Sequence, residues 1–219
     1  MGKPDIIYED NDIIVCYKPA GIATQTRRIG QQDMESFIRN YRAAKNEPPY
    51  VGIVHRLDQP VEGVMVFAKN QKAAASLSRQ IKEHTTEKYY HAASRGHGVS
   101  GADNKEDNHD PAWHTLTDYI SFDKRTNTSK ITSEKDRLAK KAVLQYRILS
   151  NECNKTEFDI KLLTGRHHQI RLQLANIGYP LIGDTKYGGE TAREQLALCS
   201  YKIVFDHPAT GERLTFELP

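Results

Sequence analysis

Asp58 stands three residues after His55 and two after Arg56, within Ile53-Val-His-Arg-Leu-Asp-Gln-Pro-Val-Glu-Gly-Val-Met-Val-Phe-Ala-Lys69. A carboxylate beside an imidazole and a guanidinium on a turn is equipped to act as nucleophile or base on a bound substrate, because loops on a rigid scaffold carry chemistry. Pro60 cannot donate a ladder hydrogen bond, so no regular strand runs through the turn. A second segment, Leu163-Thr-Gly-Arg-His-His-Gln-Ile-Arg171, offers other tools. Gly165 predicts a tight turn from strand into helix. The helix start supplies unpaired N–H groups that favour an anion, and Arg166 is placed for a bidentate pair with a carboxylate or a phosphate. These residues leave open whether that partner is Asp58 or a ligand.

Elements must hold these groups in place. Residues 12–18 read as a strand, and Asp33 caps a helix whose Met34, Phe37, Ile38 and Tyr41 share one face. Residues 63–68 read as a buried strand. Asn70 caps a second helix with Ala73, Ala74, Leu77 and Ile81 on one side. Strands follow at 86–95, 113–122, 142–149 and 156–163, the last alternating through Phe158, Ile160 and Leu162. Segments 97–112 and 123–140 read as polar connections. A third helix is expected over 167–177 with Gly178 at C′, then strands at 200–206 and 213–218 around a Pro- and Gly-containing turn. Trp113 reads as a core residue. Strands and helices segregated in this way predict an α+β fold, a mixed and mainly antiparallel sheet with a few flanking helices.

The chain has 219 residues with 31 Lys/Arg against 28 Asp/Glu, a net charge of +3. That length suits one sizeable core, and residues 1–219 are read as a single domain. Residues 135–171 carry nine Lys/Arg and four Asp/Glu, a basic sector that suits a polyanion or simply a solvated strand surface. No apolar run is long enough to span a membrane. Cys16, Cys153 and Cys199 are widely spaced and odd in number, which predicts buried thiols and a reducing cytoplasm. Histidine pairs such as His167/His168 with His207 or His114 can be drawn as metal ligands, but His-Glu-x-x-His and Cys-x-x-Cys are missing, so no metal is expected. Phosphate-loop and serine-elbow motifs are missing too.

The stretch around Asp58 resembles the signature of the RluA-type RNA pseudouridine synthases: His-Arg-Leu-Asp, two variable residues, two Thr/Ser, Gly, an apolar run and Ala-Lys. Val61 and Glu62 depart from it at the hydroxyl positions. The second segment resembles that family's Thr-Gly-Arg-Thr-His-Gln-Ile-Arg, with His167 replacing Thr, and Gly183-Asp184 and Tyr187-Gly188 match its later loop. Thr86 to Gly96 is similar to its Lys-x-Tyr-x-Ala strand, aligned on Lys88 and Ala92. Tyr17-Lys18-Pro19-Ala20-Gly21 and Leu198 to Glu212 echo its opening and closing segments, and Lys141 to Tyr146 echoes another strand. These matches run in order through most of the chain.

The resemblance implies the pseudouridine synthase catalytic fold without a separate N-terminal RNA-binding domain, acting as a cytoplasmic monomer on ribosomal or transfer RNA with no cofactor. Asp58 is the implied catalytic carboxylate, Arg166 its partner and Tyr90 the active-site tyrosine. Period-2 alternation puts Tyr89 on the opposite face from Tyr90. Implied substrate or RNA contacts are His55, Arg56, Lys18, His168, Gln169 and Arg171. Arg56 would fill the space left by an everted uridine, Lys18 would support the active-site loop, and the 97–112 loop would help choose the target. Val61 and Glu62 motivate a competing expectation, an impaired RNA-binding or chaperone protein of the same fold. A metal-dependent phosphodiesterase using Asp58 and His55 is a third.

Overall fold

The computed structural model describes residues 3–26, 28, 30–95, 110–152, 154–188 and 194–219. The chain forms β1 (Asp5–Glu9), β2 (Ile13–Lys18), α1 (Met34–Ala44), β3 (Gly52–Ile53), β4 (Glu62–Ala68), α2 (Gln71–Lys82) and β5 (Glu87–Arg95). It continues through β6 (Asp110–Asp123), β7 (Thr128–Thr132), β8 (Lys140–Glu152), β9 (Lys155–Leu162), α3 (Gln169–Asn176), β10 (Leu198–Asp206) and β11 (Arg213–Glu217). Helices and antiparallel strands make the fold α+β, as expected. Most of the loop expected at 97–112, together with Gly96 and Cys153, lies outside the described residues; 110–112 belong to β6.

The residues gather into two compact units. One is Met1–Lys88 with Ser200–Pro219, the other Tyr89–Cys199.

In the first unit β1, β2, β4 and β10 lie side by side, β3 adds to β4, and β11 adds to β10. Ile13, Val15, Val64, Val66 and Phe205 pack with Ala73 and Leu77 of α2 into a core. Both helix starts are set locally. Asp33 accepts from Ser36 N while the Ser36 hydroxyl accepts from Asp33 N, a capping box. Asn70 accepts from Ala73 N. The buried stripes differ from expectation: Phe37 and Tyr41 in α1 and Ala74 and Ile81 in α2 are only half-buried, and each helix buries one polar residue instead. In α1 the third buried residue is Arg42, whose guanidinium bonds Tyr50 O, Lys69 O and Glu47. In α2 it is Gln80, which exchanges two hydrogen bonds with the Asp206 backbone. A buried polar side chain is tolerated where its hydrogen bonds are met.

In the second unit the order is β5-β9-β8-β6-β7. Gln173 of α3 bonds Asp118 of β6, and Ile170 and Leu174 are buried. The polar connection expected at 123–140 contains β7, paired antiparallel with the end of β6. Its sequence, Thr-Ser-Lys-Ile-Thr, has too few apolar residues to signal a strand; its long-range partner supplies the ladder. Trp113 is 39% exposed, a correction to its reading as core. It lies on the same sheet face as Arg147, whose guanidinium carbon is 4.9 Å from its ring.

Gly63 shows how tightly β4 and β10 approach. Its φ is +139°, and a Cβ there would sit 2.3 Å from Ser200 O. The clash is with backbone, which cannot rotate away. Gly63→Ala will destabilise the protein by roughly 2–4 kcal/mol, read as a fall in thermal midpoint. A midpoint equal to wild type would show that this approach does not constrain the sheet.

Candidate active site

Asp58 is half-buried in the loop between β3 and β4, where Val61 N bonds Asp58 O to close the turn. Three neighbours shape this loop. Lys18, at the end of β2 and 0% exposed, donates to Pro19 O (3.1 Å), Ile22 O (2.6 Å) and Gln59 O (3.2 Å). Gly21 and Gln59 are cross-linked as well, Gly21 N to Gln59 O and Gln59 Nε2 to Gly21 O. The Thr24 hydroxyl brackets Leu57, accepting from its N–H and donating to its carbonyl. His55 Nε2 accepts from Val66 N at 3.1 Å, which pins the start of the loop to β4.

Charge in this unit is arranged around the same turn. Burial pulls the Lys18 ammonium down to about 8, while the carboxylates of Asp58 and Glu62 pull the other way. Of the two residues that depart from the resembled pattern, Glu62 accepts from the Tyr17 hydroxyl at 2.8 Å and Val61 is buried. His55 is held down at about 3 by burial and by the charge of Lys88. It is therefore neutral, and its Nε2 acceptor role places the proton on Nδ1. Arg56 points outward, exposed, and donates to Gln25 Oε1.

The second unit carries Tyr90, Arg166, His168, Gln169 and Arg171. Tyr90 is buried on β5 opposite Ile160, whereas Tyr89 pairs with Lys161 on the other face. The expected turn before α3 does have left-handed backbone, but at His168 (φ 54°) rather than at Gly165. The side chain of Gln169 makes this possible by accepting from Arg166 N and the Thr164 hydroxyl, so it closes the turn from inside. Arg166 Nε donates to Lys141 O. α3 begins at Gln169, two residues later than the expected start, and Gly178 takes the C′ position with φ 87°.

His168 Nδ1 meets the Tyr187 hydroxyl at 2.8 Å, and burial pulls the ring down to about 3. Arg171 is 5% exposed and forms a bidentate pair with Asp184, Nε to Oδ2 and Nη2 to Oδ1, each 2.7 Å. The same carboxylate accepts from Lys186 N and Tyr187 N, and these bonds hold it well below the ordinary range against the cost of burial. Lys18, His55, Gln169 and Arg171 are thus placed as holders of the two candidate segments. Sequence reasoning missed Thr24, Gln173 and Asp118; each acts through a distant partner that no local pattern announces.

Asp10, Asp12 and His207 bring possible ligand atoms within 4.8 Å of one another. Asp10 accepts from Asp12 N, Ile13 N, the Tyr8 hydroxyl and His207 Nε2, while Asp12 accepts from Asn70. His207 Nδ1 in turn accepts from Thr210 N. A latch between two turns accounts for the cluster.

Comparison with known proteins places these features in context. A family model described as RNA pseudouridylate synthase matches residues 12–176. An uncharacterized RNA pseudouridine synthase, YhcT of Bacillus subtilis, is 32% identical over 100% of this chain and 69% of its own length. Ribosomal large subunit pseudouridine synthase D of Vibrio cholerae is 33% identical over 98% of this chain and 67% of its own length. Human RNA pseudouridylate synthase domain containing 4 shares the fold, with a TM-score of 0.76 at 20% identity over 98% of this chain and 88% of that one.

Two measurements test the holders. Arg171→Met will leave the Asp184 carboxylate buried without its partner and cost about 3–5 kcal/mol; a smaller loss than 1 kcal/mol in urea denaturation, on the order of a surface pair, would refute the buried pair. The neutral histidines set a pH dependence. Their folded values near 3 lie below the ordinary value, so the unfolded chain binds more protons. Stability is then complete above about pH 6.5 and falls as pH drops toward about 3. In His55→Gln, whose amide oxygen can accept from Val66 N, that slope will flatten by about one proton; an unchanged slope would rule out a neutral His55.

Proposed function

Because this chain belongs to the RNA pseudouridylate synthase family, we propose that Asp58 is the carboxylate with which it isomerises uridine to pseudouridine in RNA. The observation carrying this reading is the clamped Asp58 turn. Lys18, Thr24 and His55 fix the loop on both sides of the carboxylate while Asp58 itself stays half-buried. The turn falls within the span matched to the family.

The reaction breaks the bond between ribose C1′ and uracil N1, joins C1′ to C5, removes the proton from C5 and protonates N1. No electron or group is gained overall, so the chemistry asks for no cofactor. It asks for an ionised carboxylate near the sugar and base, as nucleophile or base. Asp58 fills that role. Arg166 supplies the positive charge that keeps such a carboxylate ionised, and Tyr90 stacks on the uracil or takes part in proton transfer. A paired uridine must leave its stack at a cost of a few kcal/mol, and exposed Arg56 is suited to filling the gap. His168, Gln169 and Arg171 shape the Arg166 turn.

Ribosomal RNA is the proposed substrate, ahead of transfer RNA, on the names of the relatives at 33% identity. One family match running through both compact units supports reading 1–219 as a single catalytic domain. A monomer in the cytoplasm fits an RNA substrate and a chain with three cysteines. Among the described residues no helix is long and apolar enough to cross a membrane.

The test compares wild type with Asp58→Ala on RNA from a host strain lacking the gene. Wild type will form pseudouridine at one or a few positions, and the variant will form none while binding the RNA as tightly. Activity in the variant would remove Asp58 from the mechanism; inactivity of both proteins would favour the RNA-binding reading.

A further inference from the structure

One face of the second unit's sheet carries features that the reaction does not use. Strand register places Tyr89, Lys161, Gln145 and Thr115 in a row across β5, β9, β8 and β6. The next row holds His91, Asp159 and Arg147, with Trp113 against Arg147. Tyr90, Ile160, Leu162 and Leu144 alternate onto the opposite face, the side of buried Leu174 and of Gln173 bonded to Asp118.

This outer face is neither apolar nor evenly solvated. Trp113 is 39% exposed, and Arg147 lies 4.9 Å over its ring. Asp159, 3% exposed, holds that guanidinium through Nε and Nη2 at 3.0 and 2.7 Å, so its plane is fixed. Lys161 lies 5.3 Å from the Tyr89 ring. Thr115 and His91 are exposed, and Gln145 reaches the Thr115 hydroxyl at 3.5 Å. Exposed Lys141 adds charge farther along β8. Large aromatic rings are usually buried; exposed Trp113 and half-buried Tyr89, each backed by a cation, present a π-face with positive charge beside it. Unpaired bases stack on such rings and the backbone phosphates meet the cations.

We propose that this face is a platform for an unpaired stretch of RNA, with bases stacking on Trp113 and Tyr89 and phosphates held by Arg147 and Lys161. The inference rests on the reading of the chain as an RNA enzyme, which supplies the occupant. Gln145, on a strand between those that carry the two rings, and Thr115, two residues from Trp113 on β6, offer amide and hydroxyl groups for base edges, so they favour some bases over others. Duplex RNA, with its bases already stacked, cannot use the rings.

Trp113 is the single tryptophan of the chain, so its emission reports directly on stacking. The full chain is titrated with single-stranded RNA of about 12 nucleotides, within the usual range of single-strand site sizes, and with a duplex of equal length. The single strand will quench Trp113 saturably and the duplex will not. Trp113→Ala will weaken binding of the labelled single strand by about tenfold or more, as loss of one stacked base implies, and Trp113→Phe will recover part of it. Its thermal midpoint will stay near that of wild type, since the ring is exposed.

RNA binding that leaves the emission unchanged, or a Trp113→Ala variant that binds as wild type does, overturns the platform. So does an absence of single-strand binding. The Asp58→Ala variant keeps this outcome separate from the enzymatic reading. If it and wild type both quench yet neither forms pseudouridine, the platform stands and the catalytic assignment fails.

Discussion

A buried ammonium organises the first unit. Removing a cation from water costs several kcal/mol unless other groups replace the lost hydration. Lys18 meets that demand with carbonyls from Pro19, Ile22 and Gln59 and with the nearby charges of Asp58 and Glu62. Those carbonyls are immobilised in return. The loop after β2 and the turn carrying Asp58 become one rigid piece, to which Gly21 and Gln59 add their own bonds. A loop would otherwise be the most mobile part of a sheet protein, and the role proposed for Asp58 requires that freedom to be removed.

The second unit solves the same problem with different chemistry. There the turn before α3 is closed by an amide, Gln169, and by left-handed backbone at His168. Arg171 and Asp184 fix the helix to the following loop through a bidentate pair. Four of the nine positive charges counted between 135 and 171 are engaged in this way. Arg147 holds Asp159, Arg171 holds Asp184, Lys155 holds Glu157 and Arg166 meets a carbonyl. A basic stretch in sequence is therefore a poor measure of the charge an RNA would meet.

Neutral imidazoles are a recurring device. His55 and His168 are both pulled to about 3 and act through fixed hydrogen bonds rather than charge. Motif histidines invite assignment as acids, bases or ligands. Here each occupies a backbone or hydroxyl partner, which makes it a spacer of defined length and direction. The departures at Val61 and Glu62 fit the same logic. Val61 adds buried surface and Glu62 finds the Tyr17 hydroxyl, so the turn keeps its anchors.

Local rules made several features legible from the chain alone. Asp33 and Asn70 cap their helices because a short side chain reaches the third N–H wherever it stands. Alternation put Tyr89 and Tyr90 on opposite faces, since the period of a strand does not depend on its neighbours. Motif order singled out Asp58 and Arg166 as the candidates on which the proposed function rests. What the chain alone did not decide is whatever depends on a distant partner. β7 exists because β6 pairs with it, and Trp113 is open because its face is not the one that carries α3. Arg171 reads as an RNA contact until Asp184 is found beside it, thirteen positions on. Spacing along the chain reports on local hydrogen bonds; burial and charge pairing are set by which surfaces meet, and only the folded molecule holds that information.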